Sequence, residues 1–147
     1  MSRHYSMLLF AIGMLSGAGR VAVACDLAVE GGWIRAAPPG APSIAAYAVL
    51  RNTGAKSLEI TAIHSDAADM TMLHESTVKD GMAGMRMLSS LKIAAGGKST
   101  LAPGGKHIML TGPKKLPKAG EHLKIAFTDS TGCVTEGDFT VRPLTAD

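Results

Sequence analysis

MTMLHESTVKDGMAGMRML, residues 70–88, is the stretch from which the fold is read. Between its two arms stands Asp80-Gly81, a dipeptide suited to the tight turn of a β-hairpin. Strand side chains alternate between faces, so Met70, Met72, His74, Ser76 and Val78 share one face of the first arm while Leu73 takes the other. On the second arm Met85 and Met87 share a face in the same way.

Working outward, almost no segment sustains a helical period, and the chain has neither a repeat of 20–50 residues nor a low-complexity tract. Strands are predicted over 27–36, 44–52, 57–64, 70–78, 83–89, 98–102, 107–111, 121–129 and 133–142. The breaks between them carry turn residues: Pro38-Pro39-Gly40, Asp80-Gly81, Gly96-Gly97, Pro103-Gly104-Gly105 and Thr131-Gly132. Short strands with a reversal every ten or so residues imply an all-β sandwich or barrel. A length of 147 residues suits one domain.

The chemistry concentrates between 74 and 109. His74 is followed after ten residues by Met85, after twenty-one more by His107, and then by Met109 in a His-x-Met pair. Imidazole and thioether are neutral, soft donors, and two of each satisfy a tetrahedral d10 ion such as Cu(I) without a thiolate. Taken singly, His74 reads as an exposed strand histidine and Met109 as core filler. Jointly they do not, since a fixed pattern of two His and two Met arises by chance in under roughly one chain per thousand as a motif match. On 107–111, His107 and Met109 share a face opposite Ile108 and Leu110, so one side of the sheet end collects the four donors. Met70, Met72, Met82 and Met87 are candidate auxiliary sulfurs, but they read as core or rim residues with no special function, and His64 and His122 as surface residues.

The spacing His-x10-Met-x21-His-x-Met, with DGMAGMRM within it and PGGKHIML around its end, resembles the periplasmic copper chaperones of the PCu(A)C family. WIRAAPPGAPSIAAY (33–47) and LRNTG (50–54) resemble that family's N-terminal signature, so the likeness covers most of the chain after residue 30. The resemblance implies a cupredoxin-like Greek-key β-barrel. It also implies one Cu(I) per chain, handed towards the binuclear copper centre of cytochrome c oxidase or to another periplasmic copper carrier. The chain departs from the family pattern at two places: Met82-Ala83-Gly84 stands where a Met two residues before the ligand is common, and Lys106 where an aromatic is common before the second His.

Residues 1–24 read as a secretory signal rather than as fold. Arg3 and His4 precede an apolar run, MLLFAIGML (7–15), and Ala22-Val23-Ala24 fits a cleavage site before Cys25. The run is too short to span a bilayer. The domain is therefore expected over 25–147, exported to the periplasm and monomeric. Cleavage removes Arg3 and Arg20 and no acid, so the formal charge falls from +3 to +1. That leaves no field for nucleic acid, and six aromatic residues make no base-stacking surface. Cys25 and Cys133 are expected to pair, since export meets oxidising conditions. Lipidation of Cys25 is the rival reading, with Ala22 where a lipobox prefers Leu.

Enzyme signatures are missing: the sequence has no C-x-x-C, no G-x-S-x-G and no P-loop. A blue-copper electron carrier needs a cysteine thiolate beside its His and Met, and no histidine follows Cys133. Three readings stay open. They are a copper-transfer protein, a passive copper buffer, and an exported β-sandwich interaction module whose His and Met residues are incidental.

Overall fold

A computed structural model describes residues 24–145, so the secretory signal expected over 1–24 lies outside the described residues except for Ala24. Ten strands follow one another: β1 (Leu27–Arg35), β2 (Ser43–Asn52), β3 (Leu58–His64), β4 (Ala68–Lys79), β5 (Met82–Leu88), β6 (Leu91–Ile93), β7 (Lys98–Leu101), β8 (Lys106–Pro113), β9 (His122–Asp129) and β10 (Val134–Arg142). They form one sheet in the order β5-β4-β8-β2-β1-β10-β9-β3-β6, with β7 on the second half of β2. The fold is a cupredoxin-like β-sandwich, all-β as the turn spacing predicts. Among the described residues no helix is long and apolar enough to cross a membrane.

Nine of the strands match the predicted segments to within a few residues, and β6 is the one not foreseen. Leu91 and Ile93 are buried on either side of exposed Lys92, so three residues pair with β3 and close the sheet edge. A segment that short gives alternation too little length to register.

One hydrophobic cluster fills the interior, with Ile34, Leu50, Ile108, Leu110, Ile125, Phe127 and Phe139 essentially sealed from solvent. Asn52, also sealed, ends β2 as a polar knot. Its Nδ2 donates to the carbonyls of Lys56, Ile93 and Ala94 at 2.7, 3.1 and 3.2 Å, and its Oδ1 accepts from the amide of Gly54 at 2.9 Å. The LRNTG stretch thereby ties β2 to the following loop and to β6, giving loop and strand-end backbone groups a buried partner.

A bulge in β1 matters for the site. Pairing with β2 runs Glu30 to Val49 and resumes at Trp33 to Tyr47, one residue out of step. Gly31 takes φ 60°, a conformation that glycine alone adopts without steric cost. The slip turns Ile34 into the core and sets Trp33 on the other face, beside Tyr47.

Cys25, just before β1, is bonded to Cys133, just before β10. The bond links the beginning of the first strand to the beginning of the last across 108 residues of sequence.

Candidate metal centre

Three adjacent strands, β5, β4 and β8, carry the residues in question. The turn at Asp80-Gly81 has two residues, with φ 53° and 76°, and Lys79 pairs with Met82. That register then runs the length of the hairpin, placing Ser76 across from Met85 and His74 across from Met87. On the other side of β4, Met72 lies across from Met109 and His74 across from His107. The two imidazoles meet edge to face with ring centroids 5.9 Å apart.

The predicted site residues therefore share one face, but not in equal closeness. His74, His107 and Met109 are direct or diagonal neighbours, and Met72 completes their block. Met85 sits one step along the hairpin from the row of the imidazoles, beyond Met87, which faces His74 directly. Directly opposed side chains have Cβ atoms about 4.5–5.5 Å apart and diagonal ones about 7–8 Å, a span that a thioether arm crosses. Met70 and Met87 lie on this face too, whereas Met82 projects to the opposite one. Met70, Met82, Met85 and Met87 are all more than half exposed, so none of the four is core filler. His64 and His122 are exposed as expected, each beside a carboxylate: His64 with Asp66 at 2.9 Å and His122 with Asp138 at 3.1 Å.

Behind this face the strands are held from two sources. Leu73, Ile108 and Leu110 point into the core, as alternation predicts. Beside them Glu75 bonds Arg86 at 2.6 Å and lies 3.7 Å from Lys106, bridging all three strands. Exposed pairs of this kind contribute little each, so the apolar anchors hold the frame and the ion pairs trim it.

The histidines are set up differently. His107 is buried, and its Nδ1 lies 3.2 Å from the carbonyl of Gly105. A carbonyl only accepts, so Nδ1 carries the proton and Nε2 keeps a free lone pair. A backbone carbonyl holding the far nitrogen is the usual arrangement for a metal-binding imidazole. His74 has its Nδ1 buried with no hydrogen-bond partner among the described residues. Burial first, and the nearby His107 second, lower its pKa and keep the ring neutral. An orphaned nitrogen and a neutral ring are what a bound soft cation would find useful. Among the described residues no group of three or more His, Cys, Asp or Glu side chains is placed to hold a metal. The side-chain donors that flank the two imidazoles are thioethers, which favour Cu(I) over harder ions.

Sequence reasoning missed the neighbours on the far side. Tyr47, one step beyond the Ala46–Ile108 pair, has its ring 6.5 Å from that of His107, and Trp33 lies 4.5 Å from Tyr47. Trp33, Tyr47, His107, His74 and Met87 thus form a single row over five strands. The guanidinium of Arg142 caps the row at 4.7 Å from the Trp33 ring. The role of Trp33 and Tyr47 was not legible because it depends on the bulge at Gly31. The position of Met87 was, since a two-residue turn fixes its pairing.

The chain is thus a cupredoxin-like sandwich with a His/Met face at one end of its sheet, and solved structures share its fold. The solution structures of DR1885 from Deinococcus radiodurans are similar to this chain in both states. The apo form is 30% identical, covers 97% of this chain and 94% of its own, and has a TM-score of 0.62. The CuI form is 32% identical, with 85% and 83% covered and a TM-score of 0.62. The copper-bound PCuAC domain from PmoF2, 16% identical, shares the fold at a TM-score of 0.68, covering 83% of this chain and 97% of its own. The family model described as "Putative lipoprotein LpqE-like" matches residues 27–141, and the chain belongs to that family. A relative from Leifsonia xyli subsp. xyli, "Putative lipoprotein Lxx21020", is 36% identical over 105 residues. The match takes in 71% of this chain and 62% of that relative's length.

Proposed function

We propose that this protein is an exported Cu(I) carrier that holds one ion per chain through His74, Met85, His107 and Met109 and passes it to another protein. The observation that carries the reading is the opposed pair His74–His107, with its rings 5.9 Å apart and thioethers on both sides. A neutral ligand set suits an oxidising compartment, where a thiolate pair is liable to become a disulfide. The similarity to DR1885, solved with CuI, supports the same assignment.

Transfer is favoured over buffering by the exposure of Met85, which is 61% open to solvent. An acceptor's ligand can approach on that side while His107 stays buried. The acceptor we propose is the binuclear copper centre of cytochrome c oxidase or another periplasmic carrier. The role is binding and handover, with no catalysed reaction. Export follows from the leader reading of residues 1–24 and agrees with the lipoprotein names of the relatives. A lipid thioether on Cys25 would need the same sulfur that bonds Cys133, so the paired form is not anchored through that residue.

Titration of the metal-free protein with Cu(I) against a chromophoric chelator tests the binding. One equivalent is expected, lost in a His74→Ala/His107→Ala variant. Tight binding of a second equivalent, or unchanged binding in that variant, overturns the assignment. Mixing the loaded protein with the isolated copper-accepting domain of the oxidase tests delivery, with copper expected to move to the acceptor.

A further inference from the structure

Resting on the copper reading above, we propose that Met87 is a second outer sulfur of the site, able to take the fourth position on Cu(I) in exchange with Met85. Both thioethers stand on β5, two residues apart on the same face, and both are more than 60% exposed. Met85, the residue singled out by spacing, lies across from Ser76. Met87 lies directly across from His74, in the same row as both imidazoles. An ion held by His74, His107 and Met109 therefore has two sulfurs within the reach of a thioether arm, one opposite and one diagonal.

The position of β5 gives the exchange a direction. Among the described residues it is an edge strand, and no further strand pairs with its outer side. His107 and Met109 stay on the inner strand β8, with His107 buried. Both sulfurs being neutral, the swap moves no proton and no electron. The exchange would break one Cu–S bond and form another, so His74, His107, Met109 and one outer thioether would hold the ion before and after it. Two interchangeable outer donors let an acceptor displace one while the other still holds the ion.

Cu(I) titration and X-ray absorption on the unaltered protein, Met85→Leu, Met87→Leu and the double variant separate the possibilities. Leucine conserves volume at exposed positions, so the fold is kept. Each single variant is expected to keep two sulfurs on the metal and to lose no more than about tenfold in affinity, whereas the double falls to one sulfur with a loss of about a hundredfold or more, the non-additivity that interchangeable donors produce. The proposal is overturned if Met85→Leu alone drops to one sulfur and matches the double. It is equally overturned if the double still shows two, which would hand the role to Met72. Absence of Cu(I) binding by the unaltered protein would be a different failure, one that removes the copper reading itself.

Discussion

His74 carries a burden that no neighbouring group among the described residues relieves: a buried Nδ1 without a hydrogen-bond partner and a pKa pushed down by burial and by His107. In the metal-free protein the sign of its effect is fixed. A depressed folded pKa means the unfolded chain binds the proton more readily, so stability is fully present above about 6.5 and is lost as pH falls through the folded value. Urea midpoints of the apo protein should accordingly drop between pH 7 and pH 5, and less so in His74→Met. For binding, neutral imidazole is the competent form, and the lowered pKa keeps His74 itself competent further into acid. Once both rings are protonated, apparent affinity should fall by up to about two decades per pH unit, and by about one in His74→Met. A chelator competition from pH 5 to 8 measures both slopes, and a flat profile removes the histidines from the site. The four-residue spacing made these histidines legible in the sequence, and alternation puts 107 and 109 on one face, while the register of β4 on β8 brings 74 to them. What alternation cannot give is burial, which comes from β2 lying against β8 and is why His107 and His74 differ.

At the scale of the element, the β4–β5 hairpin decides how the outer sulfurs are presented. A side chain added at Gly81 would meet no atom within 4 Å, so a substitution there acts through backbone conformation alone. At φ 76° a β-branched residue is strained by roughly 1–2 kcal/mol. Gly81→Val should therefore fray β5 with little change in global unfolding, and cost Cu(I) about tenfold in affinity while both histidines stay in place. Amide exchange confined to 79–86, read beside a chelator titration, checks it. Undiminished affinity would mean that β5 contributes no ligand. The hairpin was the most readable element in the chain, since Asp80-Gly81 fixes both turn and register. The bulge at Gly31-Gly32 and the strand at Leu91–Ile93 were not, one being a slip in a longer run and the other too brief for a period to show.

Across the whole molecule, the disulfide and the proposed metal face are set apart. The proposed ligands lie on β4, β5 and β8, whereas Cys25 and Cys133 precede β1 and β10, on the other side of β2 in the sheet order. A Cys25→Ser/Cys133→Ser variant should lose up to about 4–5 kcal/mol of stability on the chain-entropy account, read as a lower thermal midpoint. Its Cu(I) affinity should be unchanged wherever it is folded, and loss of binding in a folded variant would contradict the ligand assignment. The row from Trp33 to Met87 has a different consequence. Trp33 is the only tryptophan in the chain, and a single phenol ring separates it from His107. The protein therefore holds an intrinsic optical gauge in series with the proposed copper site. Indole emission should shift as Cu(I) loads and return as an acceptor unloads it, and a Tyr47→Leu change should silence the signal while leaving the ion bound, so handover can be timed on the native chain without a label.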